Sequence, residues 1–363
     1  MLLSNLQRFK LITSLSPIII TLLLCFSHIV NAAPHQASHK MNQHAPIGVM
    51  GDHMHMKGEW MFSYRRMTMT MEDNIQGSDS ISNANILNLT NPSYRVIPSK
   101  MTTTMDMFGA MYAPSDKVTL MLMVNYLDKE MQSTTYNMMD SSFKGNFSTH
   151  VSGLGDTKLS ALYSLHKGSE NHFHLNLGIS IPTGDIDKTD EILMPMSMMG
   201  QNLVNKRLPY PMQLGSGTYD LEPGITYNGQ SDWLKWGGQI KGVFRLSDND
   251  EGYTLGDQVT ASSWASYRVN PWLATAVRLT YTDSKNIDGQ DDQINTLMTQ
   301  SAKANNFGGE RLDVSFSVTL LGTKPEHRGH QIGIEYTTTV DQDANGIQME
   351  MQDMLNIGYQ FAL

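Results

Sequence analysis

"LNIGYQFAL" (355–363) sets Leu355, Ile357, Tyr359, Phe361 and Leu363 against Asn356, Gly358, Gln360 and Ala362. A period of two places the first set on one face of a β-strand and the second on the other. Working back from that end, the pattern recurs. Val118, Leu120, Leu122, Val124 and Tyr126 alternate with Thr119, Met121, Met123, Asn125 and Leu127. Phe173, Leu175, Leu177, Ile179 and Ile181 alternate with His172, His174, Asn176, Gly178 and Ser180. Each run is about ten residues long, the length a tilted strand needs to cross a bilayer. Strands are expected over 58–71, 101–112, 117–129, 155–166, 171–182, 216–227, 232–245, 256–269, 272–283, 310–322, 329–340 and 348–363, about twelve in all.

The links between these strands alternate in length. "APSDK", "KGSE", "NGQS", "NP" and "GTKPEH" are short, whereas 72–100, 130–154, 183–215 and 284–309 are long and 246–255 is intermediate. Membrane barrels have short turns at one rim and long loops at the other, and a soluble all-β domain predicts no such asymmetry. The final strand, ending on an aromatic-rich alternation, resembles the C-terminal strand of bacterial outer-membrane barrels, which the barrel-insertion machinery reads. The expectation is an all-β, transmembrane antiparallel β-barrel with both termini in the periplasm.

Composition agrees. Only 17% of residues are charged, low for a soluble globular chain, yet mean hydropathy is −0.31. The net charge of −9 argues against nucleic acid as a partner. Arg8, Lys10, the apolar stretch 11–30 and Val30-Asn31-Ala32 read as a signal peptide over 1–32. The single Cys, Cys25, falls inside it, so the exported chain is expected to hold neither a disulfide nor a thiolate metal site. Residues 33–57 follow as a His/Met-rich periplasmic segment, mobile or plug-like given its Pro, Gly and Asn, and 58–363 as the barrel.

"GDTKLSALYSL" (155–165), "GISIPTGD" (178–185), "RLPYPMQLGSGTYDLEPGITY" (207–227) and the Met/His-rich opening resemble the bacterial outer-membrane proteins of the MetA-pathway of phenol degradation family. The third motif is the most specific. The resemblance implies an outer-membrane barrel that passes small molecules and, for members with a Met- and His-rich opening, copper handling. It supplies no catalytic or binding residues to carry over.

The opening, "HAPIGVMGDHMHMKGEWMFSYRRMTMTMED" (44–73), divides at Gly58. In the strand beyond it, Trp60, Phe62 and Tyr64 suit lipid, while Met61, Ser63, Arg65, Met67, Met69 and Met71 share the other face. Met101, Met105, Met107 and Met111, and then Met121 and Met123, repeat that arrangement on the next two strands. If all three share a lumen side, they build a thioether wall. Methionine is a flexible, polarizable filler; its thioether also selects soft ions such as Cu(I) or Ag(I), with imidazole serving Cu(II). Residues i and i+2 on a strand lie roughly 7 Å apart, so a chelating set needs partners across strands. Asp106 and Arg66 fall on the expected lipid faces, and Met349 and Met351 point outward if Leu355 does.

Before Gly58, His44, Met50, His53, Met54, His55 and Met56 form the candidate metal site, since His/Met tracts of this kind bind metal; a polar linker with incidental His is the plainer alternative. His172 and His174 join that cluster only if strand order allows. A further set, Met194, Met196, Met198, Met199 and Met212, lies in the longest loop. The chain has no nucleophile elbow, zincin helix, phosphate loop or dinucleotide fingerprint, so no enzyme is expected. The functional expectation is small-solute transport or binding, with copper the best single candidate. The alternatives are passive uptake of hydrophobic or aromatic molecules and a structural envelope role. The expected partners are outer-membrane lipid, the insertion machinery and a small solute or copper ion.

Overall fold

In the computed structural model, which describes residues 45–89, 94–198 and 201–363, eleven strands close into a ring. They are β1 (Trp60–Gly77), β2 (Val96–Ser115), β3 (Val118–Tyr136), β4 (Thr157–Lys167), β5 (Asn171–Ile181), β6 (Asp220–Gln230), β7 (Leu234–Arg245), β8 (Gln258–Asn270), β9 (Leu273–Ser284), β10 (Gly309–Leu321) and β11 (His330–Ala362). Each pairs antiparallel with its neighbour in the chain, and β11 returns to pair with β1. The expected signal peptide, residues 33–44 with His44, and Met199 lie outside the described residues.

A closed ring in which every pair is antiparallel needs an even number of passes, and β11 supplies the twelfth. Its 33 residues would span on the order of 110 Å if straight. Instead 331–344 pair with β10 and 344–362 pair with β1. The Ala362 amide donates to the Gly329 carbonyl at 3.1 Å, and the rings of His330 and Phe361 lie 4.3 Å apart. The strand therefore folds on itself around Gly346, whose φ is +81°. These are the twelve passes read from the alternation, and the five short links fall at one rim.

Around the outside, side chains such as Leu120, Leu122, Leu177, Ile240, Phe316 and Ile334 are exposed, while their alternating neighbours Thr119, Asn176, Gln239, Ser315, Ser317 and Glu335 are buried inside. That inversion, apolar outside and polar within, is what lipid on one side of a closed wall demands. No helix of the described residues is long and apolar enough to cross a membrane. The two charges expected on the lipid face face each other. Arg66 pairs across strands with Asp106 at 3.4 Å, and the Tyr64 hydroxyl donates to the same carboxylate at 2.7 Å.

Two local readings change. Met351 is buried although Leu355 is exposed. The β1–β11 register shifts between Thr70 and Met71, whose partners are Asp353 and Met351. The extra residue in the return arm turns the odd positions inward. The expected loop 130–154 also contains a strand, Phe143–Leu154. It pairs with the far half of β3 from Tyr136 to Tyr126, where β4 takes over the same edge at Met123. With Asp79–Ser80 it is one of two strands bonded to the sheet outside the ring.

Gly346 is the tightest test of the doubled strand. A side chain there is strained at φ +81° and meets Asn306. Gly346→Val should destabilise the barrel by about 1–3 kcal/mol, read as a lower urea midpoint; an unchanged midpoint would mean that the chain does not fold back at this position.

Candidate functional site: a plug within the lumen

Residues 45–57 do not trail outside the barrel. Four consecutive carbonyls each accept a hydrogen bond from a different strand of the wall. Val49 O accepts from Arg65 Nη1 of β1 at 3.3 Å, and Met50 O from Gln239 Nε2 of β7 at 3.0 Å. Gly51 O accepts from His174 Nε2 of β5 at 2.9 Å, and Asp52 O from Asn228 Nδ2 of β6 at 2.5 Å. A carbonyl can only accept, so Nε2 of His174 carries its proton. Farther on, the His55 amide donates to Thr119 Oγ1 of β3 at 3.1 Å. A segment bound to inward side chains on so many strands lies across the lumen.

Side chains complete the lock. Ile47 is buried against Gly333 and Gly358 of the two arms of β11; a Cβ at Gly333 would lie 3.0 Å from Ile47 Cβ. Gly48 passes beside the buried pair of Arg278 and Glu335, where any Cβ would collide with both. Asp52 turns back on the segment itself, its Oδ2 accepting from the Ala45 amide at 2.9 Å and its Oδ1 lying 2.7 Å from His53 Nδ1.

Within this frame the candidate metal ligands separate. The rings of His53 and His55 meet edge to face at 4.9 Å, but His53 is engaged with Asp52 and His55 lies 3.4 Å from Glu59. Met50 Sδ contacts Arg65. Met54 packs against the buried cluster of Met61, Met111 and Leu162, as Met121 does. Met56 is 58% exposed and stands apart, and His44 is outside the described residues. Among those residues no three His, Cys, Asp or Glu side chains converge as a metal site. His174 does reach the opening segment, through Gly51. The wall residues that hold the plug, Arg65, Gln239, Asn228 and Glu335, were not singled out as a site; the available signal was charge and amide groups on inward-facing positions of strands.

The thioether wall exists. Met61, Met111 and Met121 are direct cross-strand neighbours, and so are Met351, Met71, Met101 and Met131. The second row joins an apolar cluster with Leu127, Leu208, Met212 and Leu214, on which Met194 and Met298 pack. The loop methionines are thus split: Met212 is buried, Met194 packs below and Met196 is 54% exposed. Beside this cluster lies a largely apolar cavity bounded by Met131, Phe147, Ile192, Leu208, Ile294 and Met298. The lumen is therefore methionine-lined on β1–β3 and polar on β5–β7, with the plug between.

Residues 84–201 match the family model described as "Putative MetA-pathway of phenol degradation". That span includes the motifs at 155–165 and 178–185, and neither 207–227 nor the Met/His-rich opening. No curated protein matches the chain. Among solved structures, an outer membrane channel from Pseudomonas putida F1 superposes with a TM-score of 0.56 at 13% identity, over 86% of this chain and 98% of that one. The Ralstonia pickettii toluene transporter TbuX gives 0.43 at 11% identity, over 84% and 89%, a likeness too low to carry an argument. The chain thus has the fold of an outer-membrane channel, and its likeness to the family is carried by 84–201.

Proposed function

We propose that this protein is an outer-membrane channel for small solutes, closed at rest by residues 45–56 and opened when that plug leaves the lumen. The observation that carries the reading is the run of four carbonyls bonded to wall side chains. Such bonds exchange for bonds to water at small net cost, on the order of 1 kcal/mol each, so the plug is held firmly but not irreversibly. Both ends of the barrel chain meet at the short-turn rim, which faces the periplasm in this reading, and the return arm of β11 is the strand offered to the insertion machinery. Copper is the proposed solute because soft thioethers line β1–β3. A second reading, passage of hydrophobic or aromatic molecules, is favoured by the apolar cavity at the long-loop end and by the description of the matching family.

Deleting 45–56 should raise single-channel conductance in planar bilayers, and Gly48→Val, which forces the plug off Arg278 and Glu335, should do so more weakly. Conductance equal to wild type in both would end the plug model. Flux assays with Cu(I) and with toluene-sized solutes would then separate the two solute readings.

Acid should act in the same direction. His55 is buried, and desolvation, reinforced by His53 and opposed by Glu59, pushes its imidazole down to about 4. Released into water it regains a value near 6.5. The plugged state is therefore most stable above pH about 6.5, loses stability as pH falls through that value, and has lost all of this contribution near 4. Open probability should climb across that window and climb less in His55→Gln; a flat wild-type profile would remove His55 from the latch.

A further inference from the structure

We infer that the methionines where the plug meets the wall form a binding site for one soft monovalent cation, Cu(I) or Ag(I). Met61 of β1 stands opposite Met111 of β2, and Met111 opposite Met121 of β3. Met54 of the plug packs on the same cluster. Directly opposite residues have Cβ atoms about 5 Å apart, and each thioether sits on a side chain with three rotatable bonds. Four sulfurs from four segments can therefore reach one point, which neighbours on a single strand cannot.

Room for an ion is built into the next row. There Ser63 faces Gly109, and Gly109 faces Met123. Two small residues between long ones leave a cavity, bounded by Met50, Met61, Met111, Met121 and Met123 and reaching His53. A side chain at Gly109 would close it against Ser63. Arg65 and Asp52 also border this cavity, and the guanidinium contacts Met50 Sδ. Arg65 lies four residues along β1 from Met61, about 13 Å by strand rise, so the ion sits at the Met61 end, where Met111 and Met121 are its neighbours.

The chemistry selects the ion. Thioethers are neutral, soft donors, so they offer little to a hard divalent cation that must shed tightly held water and favours oxygen ligands. A soft monovalent ion loses less on entering an apolar pocket. The plainer role of these four methionines is packing around Leu162, and the two roles respond differently to leucine. Packing tolerates a swap of near-equal volume, whereas coordination loses its donor. The inference concerns binding alone, so it stands or falls separately from whether the barrel conducts metal.

The test is titration of the detergent-solubilised full chain with Ag(I), which avoids redox cycling, followed by X-ray absorption at the silver edge. One ion per chain with a sulfur first shell is expected. Met54→Leu combined with Met121→Leu should weaken binding by about tenfold or more, at least what loss of a residue hydrogen-bonded to a metal ligand costs elsewhere, while the heat-modifiable folded band is retained on gels. Unchanged affinity in the leucine variant would overturn the site. So would a nitrogen-dominated shell in the wild type, which places the ion on histidine; that spectrum decides the matter even if the variant misfolds. Bilayer conductance of the plug deletion is read independently.

Discussion

Four peptide carbonyls in a row, Val49 to Asp52, hold the inside of this barrel together. A wall that shows apolar groups to lipid must turn its polar alternates inward, and buried polar groups left without partners cost roughly 1–3 kcal/mol each. Arg65, His174, Asn228 and Gln239 meet that demand through the backbone of the plug. The dependence is mutual, because a bare segment of chain in a closed lumen would otherwise leave its own carbonyls unpaired. Shape enforces the same fit: Gly333 and Gly358 recess the wall for Ile47, and Gly48 lets the chain pass the Arg278–Glu335 pair.

The lumen has two chemical sides, and the plug respects both. Its carbonyls from 50 to 52 turn to the amide and imidazole groups of β5–β7, while Met54 turns to the methionine row of β1–β3. Toward the long-loop rim the second methionine row merges with the side chains of 208–214 into an apolar cluster. Polar anchoring on one side and soft, deformable packing on the other suit the proposed release of the segment. Methionine contributes to the second half because its flexible side chain can repack around whatever takes the place of the plug.

Much of the wall was legible in advance because alternation and link length are local. The strands from 155–166 to 348–363 fall close to their expected bounds, and the short turns fall where Asn, Gly, Pro and Ser interrupt the pattern. The errors have local causes as well. Met349 and Met351 were placed outward because a period of two propagates only until a bulge, and the extra residue opposite Thr70 and Met71 is invisible without the partner strand. The strand Phe143–Leu154 was hidden because Gly, Asn, Ser and Thr dilute its alternation, and its pairing with β3 supplies what its own sequence lacks.

Of the six candidate ligands, five lie in the described residues and only part of that set meets the methionine wall. The composition of the tract names imidazole and thioether donors but not their neighbours, because an unpatterned segment such as 45–57 has no periodicity from which to infer a face. The sequence by itself determined the barrel, its twelve passes, which rim carries the short turns and which strands carry thioethers, all consequences of a two-residue repeat against lipid. Only the tertiary structure decided which wall residues hold the opening segment, that Met54 meets the cluster of Met61, Met111 and Leu162, and that His55 lies beside Glu59 while His53 pairs with Asp52 at the edge of the methionine cavity. Those contacts join residues far apart in the chain, through hydrogen bonds and recesses that exist only once the ring has closed.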